Sequence, residues 1–144
     1  MTIKQDVLTV AANDDEMDAV TEFLDGLLED TPCGAEARAQ LDMAVEEIFV
    51  NISHYAYGEE NGSAVLRGSV TTEPPYTVTL AFEDEGVPFN PLERKTPDLT
   101  PAVRRRQVGG LGTFLARSMS DEIDYERKDG KNILTIKKNM CVGG

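Results

Sequence analysis

The chain is poor in the side chains that usually hold metals or form disulfides, since its 144 residues include one histidine and two cysteines. Cys33 and Cys141 lie far apart and form no CxxC pair. A disulfide-stapled fold or a zinc site needs several such residues at short spacing. We therefore expect neither, and we expect both thiols to be reduced, as in a cytoplasm.

Long apolar runs are also lacking, and positive charge is scarce. No run has the ~20 apolar residues that a membrane-spanning helix needs, and the opening stretch MTIKQDVLTVAANDDE has no signal-peptide pattern. With 14 basic and 26 acidic residues, the formal net charge is -12. This charge argues against nucleic acid or an anionic membrane as the main partner and favours a protein with a basic patch. The length and the 40% hydrophobic content fit a single domain, 1–144.

What the chain does have is a run of helices between strands that pair as hairpins. The predicted elements are a strand at 3–11, a helix from Asn13 or Asp14 to about 28, a helix from 35 to about 57 ended by Gly58, strands at about 64–72 and 76–83, a short helix after 109, and a hairpin turned on Asp129-Gly130. This order predicts an α+β fold, a two-layer sandwich of a mixed, mostly antiparallel sheet covered on one face by helices. Residues 84–109 are rich in Pro, Gly and charge, and we expect a functional lid at about 90–109.

The long predicted helix places three polar residues beside its apolar stripe. At about 100° per residue, Glu46 falls opposite the stripe, whereas Glu47, Asn51 and His54 fall on its border. The Asn carbonyl oxygen is a hard ligand that suits Mg²⁺, and a Glu can act as a general base. Taken alone, this spacing is more often a polar pair at a helix edge. We interpret His54 as a packing residue at the boundary of the core rather than as a catalyst.

The stretch FEDEGVPFNP, residues 82–91, joins a strand with alternating apolar residues to a segment that cannot be regular structure. Asp84 would lie at the end of that strand, where its carboxylate can only accept hydrogen bonds and so suits an exocyclic amino group such as that of adenine. Gly86 would let the backbone approach a flat ring, because it has no Cβ. Pro88 and Pro91 would restrict the following turn.

The stretch VGGLGTFL is a glycine-rich entry to a helix, where free N–H groups and the helix dipole favour an anion. The P-loop pattern GxxxxGK[ST] is absent from the chain. Five of the 14 basic residues lie within 94–106, including the run of three arginines centred on Arg105. Such a run is usually a solvated face, but beside a phosphate loop we expect one of these arginines to contact phosphate.

The stretches EIFVNISHYAYG, DEGVPFNP and GGLGTFLARSMSDEIDYERKDGKNILTIKK together resemble the N, G1 and G2 boxes of the GHKL ATPase superfamily, in order. More narrowly, they resemble its small bacterial branch, the anti-sigma factor serine kinases. The similarity covers roughly residues 35 to 138. In one departure from the pattern, Tyr55 rather than a histidine stands directly before the AY pair, and His54 precedes it.

The resemblance implies a role for each matching residue. Glu47 is the catalytic carboxylate and Asn51 the Mg²⁺ ligand, while Asp84 reads adenine with Gly86 beside it. The residues assigned to phosphate and the rest of the ATP site are Arg105, Gly109, Gly110, Gly112 and Thr113.

The resemblance also implies an activity: an ATP-dependent serine/threonine kinase that acts on a STAS-domain anti-anti-sigma factor, with a sigma factor as competing ligand and a homodimer as assembly. The alternative is a nucleotide-dependent partner-binding module without transfer activity, which would be indifferent to Glu47→Gln. A sensor histidine kinase is disfavoured, because the chain shows no preceding helical phosphoacceptor domain. A chaperone or topoisomerase ATPase would need a transducer domain that the chain lacks.

Overall fold

The computed structural model describes residues 3–57, 62–88, 116 and 119–140. The strands are β1 (Ile3–Ala11), β2 (Ser63–Thr71), β3 (Thr77–Asp84), β4 (Glu122–Lys128) and β5 (Lys131–Asn139). The helices are α1 (Met17–Leu27), entered through a 3₁₀ turn at Asp14–Glu16, and α2 (Ala35–Asn51), which runs into a π-helical turn at Ile52–Ala56. Asn13 caps the first helical segment, since its side chain accepts the Asp15 N–H.

The five strands form one sheet in the order β1-β2-β3-β5-β4, and its four pairings are all antiparallel. The β4–β5 hairpin inserts β5 next to β3, so that Asp84 at the end of β3 lies opposite Asn132 near the start of β5. This register brings two polar residues that are distant in the sequence to the same rim of the sheet.

The two helices cover one face of the sheet. Alternate residues of β2, β3 and β5 are buried, while their neighbours are partly or fully exposed. Gly68 of β2 shows how closely the layers pack: a Cβ there would lie 2.7 Å from Leu27 of α1. The predicted α+β class, with helices on one face, is confirmed, although the described part of the sheet has no parallel pairing.

The predicted apolar stripe of α2 is buried along its whole length. Its members, with their exposed fractions at or below 8%, are Ala37, Leu41, Ala44, Ile48 and Ile52. Val45 and Phe49 are also fully buried, which widens the stripe toward the sheet. The regular α-helix ends at Asn51, however, six residues before the predicted end, because the last turn takes up the wider π geometry. Gly58, predicted to end the helix, lies outside the described residues.

The β4–β5 hairpin turns on Asp129 and Gly130, both of which have positive φ (53° and 78°). This is the backbone that a type I′ turn requires, so the prediction from the Asp-Gly pair is confirmed.

At the other side of the sheet, β1 is an edge strand with Ile3 and Val7 about half exposed. The Val7 N–H donates to the carboxylate of the preceding residue, Asp6 (2.8 Å).

The predicted lid, the glycine-rich loop and the residues Arg105, Gly109, Gly110, Gly112 and Thr113 lie outside the described residues. Ala116 is described and is fully buried. Within the described ranges, the helices are too short or too polar to cross a membrane.

Candidate functional site

Glu47 and Asn51 face the border of the helix layer, as predicted. Glu46 is exposed, whereas Glu47 and Asn51 are half-buried, and the Asn51 Oδ1 atom is itself buried. Partial burial, and next the nearby Glu46 charge, raise the pKa of the Glu47 carboxyl above its ordinary value. A carboxylate with a raised pKa accepts a proton more readily at neutral pH, which suits a general base.

The π-helical turn that follows Asn51 redirects the chain toward the end of β3. The Ile52 N–H is shared between the carbonyl oxygens of Ile48 and Phe49, a three-centre bond of the kind common at helix ends. Single π turns inside α-helices are frequent at functional sites. At the last residue of the π-helical turn, the backbone of Ala56 contacts the turn after β3. The end of α2 and the rim of the sheet are thereby brought together.

His54, in the π-helical turn, is paired with Asp14, the first residue of the 3₁₀ turn before α1. Its Nε2 atom pairs with Asp14 Oδ2 at 2.7 Å, and the Ser53 hydroxyl donates to the other oxygen of the same carboxylate. These two bonds, that of Ser53 first, lower the pKa of Asp14. The His54 side chain is half exposed, as at the boundary of a packed layer.

Asp84 is buried, with 7% of its surface exposed. Its Oδ1 atom accepts two hydrogen bonds, from the Gly86 N–H (2.9 Å) and from Asn132 Nδ2 (2.9 Å). Both bonds reach the same oxygen, Oδ1, and neither of them engages Oδ2. The carboxylate is thus held in one orientation at the strand end, as an adenine reader requires.

The turn after Asp84 packs directly on the end of the π-helical turn. The Val87 N–H donates to Ala56 O at 2.9 Å. A Cβ on Gly86 would lie 2.1 Å from that same Ala56 oxygen, a distance that real Cβ atoms do not reach. Glycine is therefore required here by the protein's own backbone, a reason beyond the approach to a flat ring that the sequence suggested.

Three further side chains complete the turn, and the sequence motifs that contain them predicted no role for any of them. Asn132 Nδ2 also donates to Val87 O (2.8 Å), and Arg127 donates to Gly86 O (2.8 Å). Tyr57 accepts the Glu85 N–H through its hydroxyl (2.7 Å). These bonds span 28 to 45 residues of sequence. The only signal for Asn132 in the sequence is its position beside the hairpin turn, which becomes informative once the strand order is known.

The described residues include no cluster of three or more His, Cys, Asp or Glu side chains that could hold a metal ion by themselves. The donor set instead fits a magnesium ion that takes one protein oxygen from Asn51 and the rest from water and phosphate. The hard carboxamide oxygen and the adjacent Glu47 suit that ion chemically.

A single antiparallel sheet with helices on one face, a Glu–Asn pair at a helix end and a buried carboxylate at a strand end together define a two-layer ATPase-type domain. Comparison with known proteins agrees with this class. The family model of the histidine kinase-like ATPase domain matches residues 10–138. The chain belongs to that family.

Curated relatives are named as protein kinases. The chain is 27% identical over 107 residues to the serine/threonine-protein kinase BtrW of Bordetella bronchiseptica, covering 74% of each protein. It is 29% identical over 100 residues to the serine-protein kinase RsbW of Bacillus subtilis, covering 67% of this chain and 62% of the relative. It is 26% identical over 99 residues to the serine-protein kinase RsbW of Bacillus velezensis, again covering 67% of this chain and 62% of the relative. The matches to RsbW thus span less than two thirds of that protein.

Proposed function

We propose that this protein is an ATP-dependent serine/threonine kinase that phosphorylates a STAS-domain anti-anti-sigma factor. The observation that carries the proposal is the fixed carboxylate of Asp84, buried at the strand end and joined through the Ala56 contact to the helix that bears Glu47 and Asn51. The similarity to kinases of the BtrW and RsbW type supports the reaction class.

Asp84 would select adenine over guanine, because its Oδ2 can accept a hydrogen bond from the exocyclic amine of adenine. Guanine presents a carbonyl oxygen at the corresponding edge, so two acceptors would face each other. Asn132 and Gly86 hold the carboxylate in the accepting orientation before the nucleotide arrives. Binding therefore needs no reorientation of this side chain.

Asn51 would bind magnesium together with the phosphate oxygens of ATP, and the bound ion would neutralise phosphate charge during transfer. Glu47 would accept the proton of the substrate hydroxyl. That oxygen forms the new bond to the γ-phosphorus while the bond to ADP breaks, and the ADP oxygen keeps the electron pair. The raised pKa of Glu47 is consistent with a base that holds the proton transiently. Arg105 and the glycines at 109, 110 and 112, with Thr113, would bind the phosphates.

The partners follow from the resemblance. We propose a small STAS-domain protein as the phosphate acceptor, a sigma factor as the ligand that competes with it, and a homodimer of this chain as the working assembly. The acidic net charge of -12 favours a partner with a basic patch.

The test is a transfer assay with purified protein, Mg²⁺ and γ-labelled ATP, with and without the STAS protein encoded nearby. We expect label on a Ser or Thr of that protein and much less label with GTP. Glu47→Gln should abolish transfer while nucleotide affinity stays within about twofold, and the adjacent exposed Glu46→Gln is the matched control. Nucleotide binding without any transfer would favour the alternative, a nucleotide-dependent binding module. Light scattering of the purified chain tests the dimer.

A further inference from the structure

Tyr57 occupies the junction of three elements whose contacts fix the candidate site. It follows the π-helical turn, and its hydroxyl donates to Ser63 O at the start of β2 (2.6 Å). The same hydroxyl accepts the Glu85 N–H just beyond β3 (2.7 Å). The ring packs on Gly62, where a Cβ would lie 2.3 Å from the ring atoms. One side chain thus joins the end of the helix, the first residue of β2 and the turn after Asp84.

The neighbouring backbone strengthens this junction. Ala56 accepts the Val87 N–H, and Gly86 packs against the Ala56 carbonyl. Two consecutive residues, 56 and 57, therefore contact three consecutive residues of the turn, 85 to 87. Five residues upstream of Ala56, in the same continuous helical segment, stands Asn51.

The chemistry of a nucleotide makes such a junction useful. Its base and its phosphates are joined covalently through the ribose, so the separation of the two halves of the site decides how well one molecule can contact both. If the adenine turn moves relative to α2, a ligand that satisfies one half satisfies the other poorly. A rigid connection between the adenine turn and α2 prevents this loss of affinity. Binding at one half of the site then favours binding at the other half.

We propose that Tyr57 is a positioning residue that holds the turn after Asp84 at a fixed separation from Asn51, so that adenine recognition and magnesium–phosphate binding reinforce each other. This inference rests on the proposed function, because it assumes that the two places bind the two ends of one nucleotide. Tyr57 itself need not touch the nucleotide.

The first test uses Tyr57→Phe, which keeps the ring and removes only the hydroxyl. Tyr76→Phe is the matched control, since Tyr76 is half-buried at the opposite end of β3. The affinity for ADP is measured calorimetrically with Mg²⁺ and again with a chelator. Adding Mg²⁺ should raise the affinity for ADP by a factor that is about fivefold smaller in Tyr57→Phe than in the wild type. Loss of one net hydrogen bond changes an equilibrium constant by about this factor. Affinity for adenosine, which occupies the turn alone, should change less.

The second test needs no ligand. Amide hydrogen exchange is followed by NMR for Glu85 and Val87. Both amides should exchange at least tenfold faster in Tyr57→Phe and at the wild-type rate in Tyr76→Phe. The Val87 amide is the decisive probe: it donates to Ala56 O rather than to Tyr57, so its faster exchange reports loosening of the whole turn.

The outcomes separate the two claims. If wild-type protein binds ADP but Tyr57→Phe keeps both the magnesium effect and the exchange rates, the positioning role is wrong and the kinase proposal stands. A uniform loss of stability with an unchanged magnesium effect would also overturn it, since that is what a merely structural tyrosine gives. If the wild type binds no ADP at all, the proposed function fails and the coupling fails with it.

Discussion

Gly86→Ala is the substitution for which the structure gives the clearest expected magnitude. The added Cβ would lie 2.1 Å from the oxygen, 2.5 Å from the carbonyl carbon and 2.7 Å from the Cβ of Ala56. Each of these distances is below 3.0 Å, so the turn or the end of the helix must move by about 1 Å. Neither side is the tip of a flexible side chain. The contact is therefore relieved only by a shift of backbone.

The expected cost follows from what that shift breaks. Forcing an extra methyl group into a packed site costs about 1–3 kcal/mol. A movement of about 1 Å also breaks the hydrogen bond from Val87 to Ala56, worth about 1 kcal/mol net. The free energy of unfolding should fall by about 2–4 kcal/mol, which lowers the Tm by roughly 5–15 °C for a domain of this size.

The nucleotide site should suffer along with stability. The Gly86 N–H donates to Asp84 Oδ1, so a displaced Gly86 leaves the carboxylate without one of the two bonds that orient it. We expect ADP affinity to fall at least tenfold, equal to about 1.4 kcal/mol. Urea denaturation measures the stability change, and calorimetry at a temperature well below the mutant's Tm measures the affinity change.

Gly26→Ala is the matched control. Gly26 lies near the end of α1, and a Cβ there would meet no atom within 4 Å. Its replacement should leave stability unchanged or raise it by up to about 1 kcal/mol, since alanine is the better helix former. If Gly86→Ala behaved like this control in both measurements, the close approach of the turn to Ala56 would be wrong, and so would the reasoning built on it.

Three other substitutions test separate parts of the site. Glu47→Gln should slightly raise stability at pH 7, because the folded state favours the protonated carboxyl. In the wild type, the free energy of unfolding falls as pH rises through the raised pKa of Glu47. The increase in Tm that Glu47→Gln produces should therefore be smaller at pH 4 than at pH 7. Asn132→Ala should lower stability by about 1–3 kcal/mol, because Val87 O and a buried carboxylate oxygen each lose a donor. Unchanged urea midpoints would contradict this. Asp14→Asn should lower the Tm near neutral pH, and the difference from the wild type should vanish as pH falls through the lowered pKa of Asp14. The exposed Asp15→Asn is its control, and a difference that persists at pH 2 would refute the assignment.

Local patterns predicted those parts of the fold that depend on local physics. The Asp129–Gly130 hairpin follows from two residues that tolerate positive φ, and the burial of α2 follows from its apolar period. The distinction between Glu46 and Glu47 was also correct, because both lie in the regular part of the helix. In these cases neighbouring residues in the sequence decide the outcome.

The predicted end of α2 was wrong, because the helix stops being regular at Asn51. His54 was predicted to lie beside Glu47 and Asn51, because the same rotation per residue was assumed along the whole helix. The π-helical turn begins at Ile52 and breaks that assumption, and His54, which lies within it, pairs with Asp14. A single sequence carries no clear signal for a π turn.

The bonds around the turn after Asp84 could not be predicted either. Arg127 and Asn132 reach the turn only because β5 is inserted beside β3, and this strand order is a property of the whole sheet. The assignments of Arg105 and the glycine-rich loop remain predictions, as they lie outside the described residues.

The side chain of Asp6 bears on how copies of the protein can meet. An open strand at a sheet border invites a second strand to continue the hydrogen-bond ladder. In β1 the Val7 N–H already donates to the carboxylate of Asp6. A strand that pairs with β1 would therefore meet a negative charge beside this amide. Lengthening of the sheet at the β1 edge is therefore discouraged.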